Sequence, residues 1–253
     1  MEQVIRMISH ARKPRRGSGL LTSAAFALLL TACSDSSVET TAAEGDANPA
    51  VSTSVVDRTT TASVDAPNHI GEYDMDKVLA AGVLPDLVLG DENAPVTIVE
   101  YASMTCGHCA TFHEETWPEL KEAFVDTGKV RFILREFPFD PRATAAFMLA
   151  RCSGDNYHPL VDVLFKRQND WARAPADQAA AALFNTTKIA GFTQESFRAC
   201  LQDQELLDNV NATRQKAAEE FAVDATPTFF INGKKYTGAL TFAQMSAIIG
   251  SLQ

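Results

Sequence analysis

"APVTIVEYASMTCGHCATFHEETWPELKEAFVDTG", residues 94–128, joins a β-branched apolar run to two closely spaced cysteines and then to a helical pattern. Residues 94–102 favour a strand, because Val, Ile and Tyr fit a pleated, half-buried surface. From Cys109 onward, Phe112, Leu120 and Phe124 recur at broadly helical spacing until Gly128 supplies a stop. The next run, "KVRFILREF" (129–137), reads as a second strand. Strand, helix and strand in that order predict a parallel pair with a right-handed crossover. Cys106 and Cys109 then sit at the strand-to-helix junction, where they can hold a metal, brace a fold or exchange electrons.

Beyond this unit the pattern becomes helical over about 80 residues. The stretches "PRATAAFMLARC", "YHPLVDVLFKRQNDWA", "PADQAAAALFNTTKIAG", "TQESFRACL" and "QELLDNVNATRQKAAEEF" each repeat apolar residues every three or four positions, with Pro, Gly or Asp between them. Strand signals return at "TPTFFI" and "KKYTG", which flank Asn232-Gly233, a strong hairpin cue. A last helix is predicted over "TFAQMSAIIGSLQ", with Phe242, Met245, Ile248 and Ile249 on one face.

The chain has 253 residues and is 46% hydrophobic, enough to bury a substantial core. Its formal charge is −10. Arg6, Arg12, Lys13, Arg15 and Arg16 precede position 33, against one acid, Glu2, so the remainder carries 17 basic and 31 acidic side chains, a balance of −14. Such a surface repels phosphate backbones and argues against nucleic acid as a partner.

The first 32 residues read as a signal peptide: "RKPRRGSG" precedes the apolar run "LLTSAAFALLL", which is too short to span a bilayer comfortably. Gly17, Ser18 and Gly19 fit a twin-arginine signal poorly after Arg15 and Arg16. "LTAC", Leu30–Cys33, resembles the bacterial lipobox and marks Cys33 for lipidation; an ordinary cleavage near Ala32 is the alternative. Residues 33–72 read as a low-complexity tether, since residues 34–68 contain no aromatic side chain and are dominated by Ser, Thr, Ala and Asp. The expected organisation is therefore signal peptide 1–32, lipid-anchored linker 33–72, a sheet domain in two parts (73–140 and 224–253) and a helical insertion 141–223.

A cycling dithiol needs two sulfurs close enough to bond and one that is ionised at working pH. Two intervening residues at a helix start supply both. The first sulfur faces the unpaired amides and positive end of the helix, and the second lies a turn deeper. Cys106 is the expected nucleophile and Cys109 its resolving partner. His108 adds thiolate stabilisation if its ring approaches Cys106, and Gly107 shares the tuning position.

Taken together, the "TIVEY" strand, Cys-x-x-Cys, "TPTFFINGK" and the interposed helices resemble the DsbA-like thiol-disulfide oxidoreductases from about Leu87 to Leu252. The resemblance implies an α/β, thioredoxin-like fold with an inserted helical domain. It implies that Glu100 is a buried carboxylate beneath the dithiol, able to exchange a proton with Cys109. It also implies that Thr226-Pro227 is a cis-proline loop against which a substrate strand pairs. Many members carry Pro where this chain has Gly107; Cys-Gly-His-Cys instead matches eukaryotic disulfide isomerases, which points to an intermediate potential.

Cys152 and Cys200, in an oxidising compartment, are expected to form a structural disulfide across the helical block rather than remain two unrelated thiols. Cys33 is the odd cysteine, which favours its lipid fate. His113 is expected as a partly exposed side chain near the site, His158 as part of a helix start, and Trp117 and Trp171 as packing residues. No cofactor is implied.

The leading functional expectation is a monomeric oxidoreductase on the periplasmic side of a bacterial cell envelope. It passes its disulfide to thiols of exported proteins and is reoxidised by a membrane redox partner. A reductase or isomerase is the enzymatic alternative. A Cys/His metal carrier is the non-enzymatic one, and it lacks the third and fourth ligands that such sites need.

Overall fold

A computed structural model describes residues 65–80 and 82–253. The signal segment, Cys33 and the linker up to residue 64 lie outside the described residues. One six-stranded sheet organises the protein, in the order β1 (Gly71–Glu72), β6 (Lys234–Thr237), β5 (Thr228–Ile231), β3 (Val96–Ala102), β4 (Val130–Glu136) and β2 (Val88–Leu89). β3 and β4 are parallel, while β5 runs antiparallel to β3 and β2 antiparallel to β4. The helical block separates β4 from β5, which gives a thioredoxin-like α/β fold with a helical insertion.

Both faces of the sheet are covered, and the period-2 alternation of β3 assigns its side chains. Val96, Ile98 and Ala102 join the larger core beneath the helices; Val99 and Tyr101 join a second core with Ile133, Phe137, Phe221 and Phe230. Glu100 has the parity of Ile98 and Ala102. This places a carboxylate under the helices rather than at a strand edge.

Between β3 and β4 the chain is helical from Gly107 to Val125, as α2 (Gly107–Thr111), a wide turn Phe112–Thr116, α3 (Trp117–Leu120) and a second wide turn Lys121–Val125. In the wide turns the amides reach five residues back, Trp117 to the Phe112 carbonyl and Asp126 to the Lys121 carbonyl. Pro118 has no N–H to offer a regular helix, which accounts for a break at this place. The second wide turn moves the buried position from the expected Phe124 to Val125, leaving Phe124 only half-buried.

The helical block contains α4 (Pro141–Cys152), α5 (Tyr157–Lys166), α6 (Gln168–Ala172), α7 (Ala179–Thr187), α8 (Gln194–Leu201) and α9 (Gln204–Phe221); α10 (Phe242–Gly250) closes the chain after the hairpin. Asp140 caps α4 by accepting from the amides of Arg142 and Ala143 at 2.8 and 3.0 Å. Asn232 (φ 44°) and Gly233 (φ 89°) form the β5–β6 turn, where a left-handed pair matches the twist of the strands. Trp117 and Trp171 are packed in the core.

The last two residues of the linker expected to end at residue 72 form a strand. Gly71–Glu72 pairs with Lys234–Lys235, and the Ile70 amide donates to the Lys235 carbonyl at 2.8 Å. A short helix, α1 (Met75–Leu79), follows and buries Val78. Main-chain hydrogen bonds hold such two-residue strands, so no side-chain alternation announces them.

Candidate active site

β3 delivers the chain to Ser103–Thr105, and Cys106 occupies the N-cap of α2 with extended backbone (φ −79°, ψ 122°). The helical block fixes this junction. The buried Gln168 amide donates to the Met104 carbonyl at 3.0 Å and the Cys106 carbonyl at 2.9 Å. The Thr105 hydroxyl donates to Asp140, the same carboxylate that caps α4. Sequence reasoning missed Gln168 and Asp140, since each acts on the site from more than thirty residues away.

Cys106 and Cys109 are unbonded thiols, the first half-buried and the second with 0% exposure. The Cys106 thiol donates to the Thr226 carbonyl at 3.3 Å. Its acidity is raised strongly, to a pKa of about 5. The Cys109 thiol is the largest cause; burial opposes it, and the Thr226 side chain and the Cys109 and His108 amides add to it. The Thr226 hydroxyl is buried with no other partner in the protein, so a thiolate at Cys106 gives it an acceptor. Cys109 moves the other way. Burial, its hydrogen bond to Cys106 and the charge of Glu100 hold its pKa well above the usual thiol range.

Glu100 is completely buried, with its Oε2 3.0 Å from Nε2 of His113. His113 corrects an expectation: it is 7% exposed rather than partly open, and its ring stacks on Phe165 at 4.1 Å. A signal for this existed. Counting from Cys109, positions 112, 113, 116, 117 and 120 form the inward stripe of a helix, and all five are buried.

The remaining candidates fall as follows. Gly107 and His108 are exposed, and a Cβ added at Gly107 meets nothing within 4 Å, so this position is sterically open. The His108 ring makes no hydrogen bond to Cys106 among the described residues; its backbone amide contributes instead, as the smallest of the causes that lower the Cys106 pKa. The Thr226-Pro227 peptide is cis. Cys152 and Cys200 are joined, with Cα atoms 6.1 Å apart, linking α4 to α8. His158 lies in the first turn of α5. Among the described residues no three His, Cys, Asp or Glu side chains converge as metal ligands, and no helix is long and apolar enough to cross a membrane.

Comparisons with known proteins agree with this geometry. The thioredoxin family profile matches residues 83–251. The crystal structure of Wolbachia pipientis α-DsbA1 superposes with a TM-score of 0.64 at 30% identity, covering 71% of this chain and 96% of that one. A Rickettsia bellii protein named as a protein-disulfide oxidoreductase is 33% identical over 150 residues, 58% of this chain. The chain spans 57% of the length of that relative. The chain belongs to the thioredoxin family, as a DsbA-like member.

Proposed function

We propose that the protein is a thiol-disulfide oxidoreductase that donates its Cys106–Cys109 disulfide to thiols of exported proteins. One observation carries this reading: the exposed-side sulfur, with a pKa of about 5, is a thiolate at neutral pH while its buried neighbour is held as a thiol. Stabilising a thiolate stabilises the reduced form, so the disulfide becomes the stronger oxidant.

The cycle balances as follows. A substrate thiolate attacks the Cys106 sulfur, the Cys106–Cys109 bond breaks, and Cys109 leaves with a proton from Glu100. A second substrate thiol loses its proton and attacks the substrate sulfur of the mixed disulfide. The substrate disulfide forms and Cys106 departs as a thiolate, an efficient leaving group because of its low pKa. A disulfide of a membrane redox partner then reoxidises the pair. Thr226 and Pro227, which face Cys106 through the Thr226 carbonyl, are the backbone along which a substrate chain lies. The protein works on the periplasmic side of the cell envelope, tethered to the membrane through lipidated Cys33 and the linker. The lipobox-like sequence and the DsbA-like family support that placement.

Equilibration with glutathione buffers tests the direction of flow. The expected potential lies at or above about −180 mV, on the oxidising side of the range for this superfamily. A value near about −270 mV, as for thioredoxin, turns the assignment to a reductase. Cys106→Ser is expected to lower oxidation of a reduced peptide by on the order of 10³-fold or more, as loss of a nucleophile does; retained activity in that variant excludes the dithiol as the reacting group.

A further inference from the structure

Cys109 is sealed from solvent, yet its sulfur gains one proton and loses one in every cycle. The front of the dithiol is where a substrate docks, so a docked chain closes that side during the step that moves the proton. The interior offers another direction. Glu100 acts on Cys109 through its charge and is bonded to His113 at 3.0 Å. Phe165 and Phe112 hold the His113 ring by stacking and edge contacts. His113 in turn lines a cavity of about 220 Å³ together with Trp117, Lys121, His158 and Asp162; neither cysteine lines it.

Two further facts mark this cavity as wet. His113 Nδ1 and His158 Nε2 are both buried without a protein partner, and buried polar atoms of this kind are ordinarily met by water. A single ordered water needs only about 10–15 Å³ of such space. We propose that the proton of Cys109 leaves and returns through Glu100 and His113 into this cavity, on a route separate from the substrate face. The proposal rests on the dithiol exchange described above and adds its proton path.

The transfer balances without any further reactant. As Cys109 becomes the attacking thiolate during reoxidation, its proton passes to Glu100, and the carboxyl passes a proton to Nε2 of His113. The ring releases one from Nδ1 to cavity water, since imidazole accepts on one nitrogen and donates from the other. The reverse sequence protonates Cys109 as it leaves. The charged groups around His113 suit this role. Asp162 on α5 is in electrostatic contact with it, and desolvation raises the pKa of that carboxyl. His158 is held down to about 4 by burial and stays neutral at working pH. Lys121 supplies a cation at the rim. His113 is thus a positioning residue for Glu100 and a carrier beyond it; it does not touch the reacting sulfurs.

The test uses the full chain and a peptide disulfide bound to Cys106, with release of the peptide thiol followed by stopped flow from pH 5 to 9. His113→Phe keeps an aromatic ring against Phe165 and removes both nitrogens. Release is expected to slow by about 10- to 100-fold at pH 7, at or below the range for direct general acid–base groups. Alkylation of Cys106 should keep its wild-type pH midpoint, a readout that general damage to the site would move. His113→Ala should be slow likewise and recover in added imidazole. Val161, which also lines the cavity, is not a member of the proposed route; Val161→Phe takes up cavity space and should slow release several-fold, and it decides the question if His113→Phe fails to fold. Wild-type rates and pH profiles in the two Phe variants overturn the route. Failure of the wild-type protein to oxidise any peptide overturns the exchange reading instead.

Discussion

Two cysteine pairs occupy one chain and differ in almost every physical respect. Cys106 and Cys109 are three residues apart, at a helix tip, and stand as thiols; Cys152 and Cys200 are 48 residues apart, on two different helices, and are bonded. The first pair has its ionisation split in opposite directions by hydrogen bonds, burial and the charge of Glu100. The second pair has no comparable surroundings. Cys200 is buried beside the Met148 carbonyl at 3.2 Å, and Cys152 is at the surface. Sulfur chemistry alone therefore does not separate a working dithiol from a clamp. The electrostatic asymmetry around the sulfurs does.

The sharpest way to break this contrast is to delete the clamp. Replacing both Cys152 and Cys200 with alanine is expected to lower the unfolding free energy by about 4 kcal/mol in the chain-entropy picture of a 48-residue loop. Peptide oxidation by Cys106 should remain within about twofold of wild type in dilute urea, because the disulfide joins Cys152, in the last turn of α4, to α8, while α4 meets the dithiol loop at its other end, through the Asp140–Thr105 hydrogen bond. Urea unfolding followed by tryptophan fluorescence measures the first quantity, and the oxidation assay the second. A stable variant that has lost exchange activity would mean that the two pairs are coupled, and the contrast would fail.

A smaller effect comes from erasing the asymmetry itself. Cys109→Ala removes the largest source of thiolate stabilisation, so the alkylation midpoint of Cys106 should rise from about 5 toward the ordinary 9.0. Thr226→Val should raise it less, since the side-chain hydrogen bond of Thr226 ranks below that of Cys109. A shift of one unit means about a tenfold lower alkylation rate below the midpoint, where the thiolate fraction sets the rate. The sign for stability follows from the same group. Cys106 ionises at a lower pH folded than unfolded, so its contribution to the reduced fold is complete above pH 9 and is lost as pH falls through about 5. The reduced protein is therefore expected to gain stability over the oxidised protein between pH 5 and 9, and a flat difference in thermal midpoints across that window would contradict it.

How much of this was legible beforehand depends on whether side chains or main chain carry the information. The β3–helix–β4 unit declared itself through β-branched runs and helical spacing, and the Asn232-Gly233 hairpin through turn chemistry. The Cys106–Cys109 pair was visible as a motif with a mechanism. By contrast, β1 and β2 have two residues each, and main-chain pairing defines them. The buried ion pairs Arg135–Asp86 and Arg151–Glu136 join residues 49 and 15 positions apart, with Arg135 also donating to the Tyr101 hydroxyl at 2.9 Å. No local pattern foretells such partners, because a lone charge within an apolar strand reads equally well as an exposed edge. His113 was hidden for a different reason: its residue type suggested a surface, while its position on the helical stripe required burial.

Gln168 gives the subtlest test of the contrast, because it touches the dithiol loop without touching a sulfur. Its side chain is 5% exposed, and its amide spans from the helical block to the Met104 and Cys106 carbonyls. Gln168→Ala leaves those two carbonyls without this donor, and an unmet buried acceptor costs about 1–3 kcal/mol. Part of that loss is recovered if water enters the space left by the amide. The expected outcome is a fall of about 1–2 kcal/mol in urea stability, with the Cys106 midpoint still near 5. The midpoint holds because the donors that stabilise the thiolate belong to Cys109, Thr226 and the helix amides, none of which Gln168 supplies. If the midpoint instead rises by a unit or more, loop position sets the thiolate as strongly as its direct donors do. The asymmetry at the dithiol would then be a property of the helical insertion as much as of the Cys-Gly-His-Cys turn.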